Sequence, residues 1–112
     1  MFRDLDGEAV LAKLAAMPIR EWSYKSQDAA IRHVGPTAQD FRAAFGLGED
    51  PLGISTIDAD GIALRAIQAL EERTRRQIAT LEAENEALRS ELASLRGIIA
   101  AVLGRALKAD PF

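Results

Sequence analysis

RTRRQIATLEAENEALRSEL, residues 73–92, is the stretch that decides how this 112-residue chain is built. Leu81 and Leu88 stand seven apart, and Ile78, Asn85 and Leu92 form a companion row at the same interval. Followed outward, the first row runs Ile67, Thr74, Leu81, Leu88, Leu95 and Val102, and the second continues to Ile99. An apolar repeat of seven sustained over several heptads is the pattern of a coiled-coil helix, with the first row at d and the second at a. Glu84 and Glu91 then occupy g, and Arg89 and Arg96 occupy e five residues later, the spacing of interhelical salt bridges. Asn85 at an a position fixes register at some cost in stability. The helix is expected over residues 61–108, with 109–112 as a tail. From Gly61 to Leu107 it would extend roughly 70 Å at ~1.5 Å per residue.

Upstream of Gly61 the pattern changes every ten residues or so, and residues 1–60 read as a small mixed head. Asp6 suits the cap of a short helix whose apolar face is Val10, Leu11, Leu14 and Met17, closed by Pro18. IREWSYK (19–25) alternates, with Trp22 and Tyr24 on one face, as a strand does. A polar turn at Ser26–Asp28 leads to a second strand around Ile31–Val34, making a hairpin. Pro36 suits the first position of a helix, where its missing N–H is no loss. That helix is expected to bury Ala38, Phe41 and Phe45 and to end at Gly46-Leu47-Gly48. GISTI (53–57) reads as extended, before Asp58 or Asp60 caps the long helix. Trp22 is expected in the core of the head, near Phe41 or Phe45, because aromatic residues carry much of a small core's burial.

The chain is 48% apolar and 28% charged, the balance of a folded protein and not of a disordered tail. It has no Cys and a single His, which excludes disulfides and thiolate chemistry and leaves a structural zinc site almost no ligands. The start, MFRDLDGE, carries acids where a signal peptide needs bases. The most apolar run, Ile98–Leu103, is far shorter than the ~20 residues of a membrane span. Residues 1–60 carry a net charge of −4 and residues 61–112 a net +1, so neither part offers the basic surface of a nucleic-acid binder. No membrane, nucleic-acid, metal or cofactor partner is expected.

Other motifs dissolve on inspection. His33 as a general base would need to activate Ser23, Ser26 or Ser55, but no nucleophile motif surrounds it. It reads instead as a strand histidine bonded to backbone beside the Gly-Pro corner. DADG (58–61) starts like a calcium loop, yet the twelfth position, which needs an acid, is Ala69. Arg73, Arg75 and Arg76 are too short a basic run, directly preceded by Glu71 and Glu72, for a DNA-reading helix. A head of ~60 residues buries only ~60% of its unfolded surface. The helix behind it also carries a stripe that needs partners, so the chain is expected to be an obligate oligomer.

EWSYK (21–25), RHVGPTAQDF (32–41), AFGLG (44–48) and IDADGIALRAIQAL (57–70), in this order, resemble the C-terminal intramolecular chaperone domain of phage tail fibres and tailspikes. This is the endosialidase-type, or peptidase S74, family. The resemblance covers about residues 5–70 in separate blocks, with RHVGPTAQDF the most specific; the heptad region behind it is generic. It marks Trp22, His33, Gly35, Pro36, Asp40 and Phe41 as the signature of the head, a strand–turn–helix core with Gly35 and Pro36 at the corner and Phe41 as anchor.

The resemblance implies a homotrimer that guides folding of the fibre chain upstream of it. It places that action in the host cytoplasm during virion assembly, or in the phage tail. Members release themselves through a serine–lysine dyad in a stretch of the form Ser-Asp-x-x-Leu-Lys at the start of the domain. The 112 residues contain no such stretch, and FRDLDGEAVLAKL picks up just after the family's lysine would have passed, with Met1 as a new start. Lys13 has no Ser ahead of it, so no catalytic residue carries over and no enzyme activity is expected. The expected fold is therefore α+β: a small mixed head and a long C-terminal helix forming a homotrimeric coiled coil. Its seam is Ile78, Leu81, Asn85, Leu88, Leu92, Leu95, Ile99 and Val102. The rival reading is a dimeric leucine-zipper scaffold or DNA-binding regulator.

Overall fold

In the computed structural model, which describes residues 1–109, the order of elements is α1 (Gly7–Ala16), β1 (Arg20–Trp22), β2 (His33–Gly35), α2 (Ala38–Phe45) and α3 (Thr56–Ala109). The end of the expected tail, residues 110–112, lies outside the described residues. Helix dominates, and the sheet is a single antiparallel pair of three-residue strands.

Helix α1 starts where its cap dictates. The Asp6 carboxylate accepts from the backbone N–H of Glu8 at 3.0 Å and of Ala9 at 3.3 Å, satisfying two of the donors a helix start leaves open. Met17 is already extended, because the following Pro18 disfavours helical geometry in the residue before it.

The hairpin pairs Arg20 with Gly35, Glu21 with Val34 and Trp22 with His33. Both strands are shorter than the alternation implies. Tyr24 C=O accepts from Gln27 N–H at 3.2 Å, which turns the chain before β1 can extend to Lys25. Asp28 then accepts from Ala30 N–H through its side chain and from Ile31 N–H through its carbonyl, so Ile31 belongs to a turn and β2 opens only at His33.

Helix α2 is capped by Thr37, whose hydroxyl accepts from Asp40 N–H at 3.0 Å. Pro36 therefore stands just outside the helix and not at its first position: the hydroxyl one residue later makes the better start. The helix stops at Gly46, in the left-handed region at φ 61°, with its N–H returned to Arg42 C=O at 2.7 Å. Helix α3 begins earlier than Asp58 and Asp60 suggest. Ser55 C=O already accepts from Ala59 N–H at 2.9 Å, so Ile57 is helical and Asp58 lies in the first turn. A carboxylate there still favours the helix through its dipole without capping it.

The core gathers Val10 and Met17 from α1 and its end, Phe41 from α2 and Ile62 from α3. Leu14, Ala44, Phe45, Ile54 and Ala66 pack against them. Phe41 and Phe45 lie with ring centroids 5.1 Å apart. Two further contacts tie α1 and the residues just before it to α3. Gly7 is buried so close to α3 that a β-carbon there would come within 2.6 Å of Ala69 Cβ, and the Arg65 guanidinium donates to Leu5 C=O at 2.8 Å. The first compact unit accordingly runs Met1–Glu72, and the second begins at Arg73.

Trp22 is not part of this core. It is half-buried and sits 4.8 Å from Tyr24 and 5.0 Å from His33, ring centroid to centroid. It does lie beside Tyr24, as expected, but in an aromatic cluster with His33 and not among the residues packed on Phe41 and Phe45.

Candidate assembly surface

From Arg73 onward α3 carries its a and d apolar residues exposed. Ile78, Leu81, Leu88, Leu92, Leu95, Ile99 and Val102 all remain between 47% and 61% exposed. Single exposed aliphatics are ordinary on a surface, but seven on the a and d rows of one helix form a contiguous patch of the kind that marks an interface. Asn85 is exposed on the a row, Glu84 and Glu91 on one flank, and Arg89 and Arg96 on the other. Ile98 at g and Leu103 at e, each 59% exposed, widen the stripe toward the C-terminal end. Gly97 falls at the outward f position, where a β-carbon would meet nothing within 4 Å.

The head residues form structure, each in a different way. His33 hydrogen-bonds Gln27 Oε1 through Nε2 at 3.1 Å, a side-chain partner and not the backbone expected of it. Its ring also contacts Tyr24, at 5.1 Å. Ser23, one of the three serines considered for it, accepts from Arg32 at 3.1 Å, while Arg32 also pairs with Glu21 at 2.8 Å across the hairpin. Gly35 closes β2, and Pro36 leads to the Thr37 cap. Asp40 is exposed in the first turn of α2, and Phe41, one residue on, is 6% exposed in the core. A groove beside the hairpin is lined by Trp22, Tyr24, Pro36, Ala38, Leu52 and Ile54. Trp22 Nε1 is buried without a hydrogen-bond partner.

Asp58 and Asp60 lie on a helix and not in a loop that could wrap a cation. Among the described residues no group of three or more His, Cys, Asp or Glu is placed to hold a metal ion. No described helix is long and apolar enough to cross a membrane.

This arrangement of short helix, hairpin and capped helix is where comparison with known proteins gives an answer. The model of the peptidase S74 family, described as the chaperone of endosialidase, matches residues 1–46. Residues 1–46 are thus similar to that family. The chaperone match takes in α1, both strands and α2, and ends at the Gly46 cap. Blocks of the sequence resemblance beyond Gly46, including residues 57–70, lie outside it. The peptidase S74 region thus supplies Val10, Met17 and Phe41 to the core, while Ile62 and the exposed stripe come from residues beyond the match. No curated protein and no solved structure matches the chain.

Sequence reasoning missed the residues that dock the head onto α3. Ile62, Ala66 and Ala69 stand at helical spacing, and the small Gly7 and Ala69 are a signal of close approach. The seven-residue stripe is the stronger pattern in that helix and masks this second set.

Proposed function

We propose that the chain is an intramolecular chaperone and trimerisation domain that aligns and assists folding of a homotrimeric phage tail fibre or tailspike. The observation that carries this is the stripe Ile78–Val102, left exposed on a helix attached to a chaperone-family head. Three such helices joined through a and d would hold three client chains at high effective concentration and in a common register. The slow step of intertwined β-structure, closing contacts between residues far apart in sequence, would then start in phase. Glu84–Arg89 and Glu91–Arg96 pairs between chains would favour parallel helices in that register. The partners are two further copies and the upstream fibre chain, with nucleic acid and membrane playing no part. The site of action is the host cytoplasm during virion assembly, or the phage tail. With no Ser-Asp-x-x-Leu-Lys stretch in these residues, the chain does not cut itself, and incubating it purified should yield no fragments.

Sedimentation equilibrium at several concentrations tests the reading. A mass of three chains supports it, whereas a clean dimer favours a zipper-type scaffold, the reading for which Asn85 on the a row speaks. Retarded duplex DNA in a gel shift at low salt would support the DNA-binding form of that rival.

A further inference from the structure

Between Thr56 and Glu72, α3 has two apolar faces, and only one is covered. Ile62 is 3% and Ala69 2% exposed against the head, while Ile57 is 83% and Leu64 and Ile67 are each 64% exposed. Counting back by sevens from Ile78 and Leu81, with no residue inserted, puts Ile57 and Leu64 at a and Ile67 at d. The same count puts Ile62 and Ala69 at f, Asp58 and Arg65 at b, and Ala59 and Ala66 at c. Every buried or half-buried residue of this stretch is at b, c or f, and every residue at a, d, e or g is exposed. The head has taken the side of the helix that a coiled coil does not use.

A helix covered on one side by its own domain needs only one apolar face. We infer that the second face is a self-association surface, and that the seam between copies of this chain continues upstream of Ile78 through Ile67 and Leu64 to Ile57. The inference rests on the coiled-coil reading and extends it into the head. Three observations favour another copy as the occupant. The face keeps the seven-residue phase of the stripe at 78–102, which a partner of different design would not require. Its flanks, Gly61, Ala63, Gln68 and Leu70, carry no charge that would repel an identical helix. A segment of its own chain, Arg3 to Gly7, lines a groove with Ile67 and still leaves that side chain largely bare. Asp60 at d and Glu71 at a put like charges of identical helices into the row itself, and Thr74 at d a polar group, so this part of the seam is the weaker one.

The chain contains no cysteine, so single cysteines report directly on proximity between copies. Leu64→Cys, Ile67→Cys and Leu88→Cys, with Ala83→Cys at an outward f position as control, would be oxidised as the full chain and resolved on non-reducing gels. Far-UV circular dichroism would confirm that each is folded. A disulfide requires Cα atoms within ~7 Å, so seam positions should cross-link about tenfold or more faster than the control. Cross-linking at all three seam positions supports the inference. Cross-linking at Leu88→Cys alone overturns it and leaves the coiled coil standing. None at any of the three overturns both. Rates at Leu64→Cys and Ile67→Cys no faster than at Ala83→Cys overturn it as well.

Discussion

Helix α3 runs through two environments. From Thr56 to Glu72 one of its sides is covered by the head: Ile62 and Ala66 pack into a core with α1 and α2, and Ala69 is buried against Gly7. From Arg73 on, almost every side chain is open to solvent all round, although the sequence keeps an apolar row of the same period. The first stretch is therefore helical because it is packed, whereas within one chain the second has only its local propensity to rely on. Its Ala, Leu, Glu and Arg content favours helix, but tertiary packing is the usual source of helical stability. The lesson is that burial within one chain and regularity of pattern are different things: the most regular segment of this molecule is the least buried.

The largest test of that contrast is where the chain is cut. A chain ending at Asp60 loses Ile62, Ala66 and Ala69 and should show no cooperative melt by circular dichroism, whereas one ending at Glu72 keeps the first unit and should retain a transition. A sharp melt from the shorter one would show that the first stretch of α3 is not part of the head after all. Next, Phe41→Ala should cost roughly 3–5 kcal/mol, read from urea unfolding, since it empties the centre of the core. In the second stretch, Leu88→Ala should cost roughly 1.5–3 kcal/mol per chain, the burial of one leucine, and should act by making the melting midpoint more dependent on protein concentration. A concentration-independent loss there would mean that no partner covers Leu88.

Smaller effects sharpen the boundary. Gly7→Ala should destabilise by roughly 1–3 kcal/mol through overpacking against Ala69, with the oligomeric mass unchanged. Gly97→Ala should do the opposite, stabilising by up to ~1 kcal/mol, because the position is helical, outward and open. A loss of stability at Gly97→Ala, measured by thermal melting, would place that side of the helix against something.

Much of this was legible in the sequence. Asp6 before an apolar-periodic run, Pro18 after it and Gly46 at the end of α2 are local signals, and local chemistry decides them. The start of α3 was not, since Ser55, Thr56, Asp58 and Asp60 can all serve as caps, and the choice is made by the packing of Ile62. Trp22 misled for a related reason: alternation tells which side of a strand a residue takes, but not what the hairpin lies against. The stripe from Ile78 to Val102 was readable residue by residue, because heptads are a property of one chain. The covered face of α3 was not, because b, c and f positions carry no pattern until the head that fills them is known.

The contact between Gly7 and Ala69 has a consequence for the order in which the molecule is made. Ribosomes deliver the chain from the N-terminus at ~5–20 residues per second, and domains usually fold as they emerge. Here the residues that emerge first cannot close their core until Ile62, Arg65 and Ala69 have followed, so Arg65 reaches back 60 positions to Leu5. The head must wait, incomplete, for some seconds while α3 is translated, and its last pieces arrive on the same helix that bears the exposed stripe. Completion of the head and appearance of the exposed stripe are thus consecutive events on one growing segment, the first residues of the chain waiting on the helix that carries both.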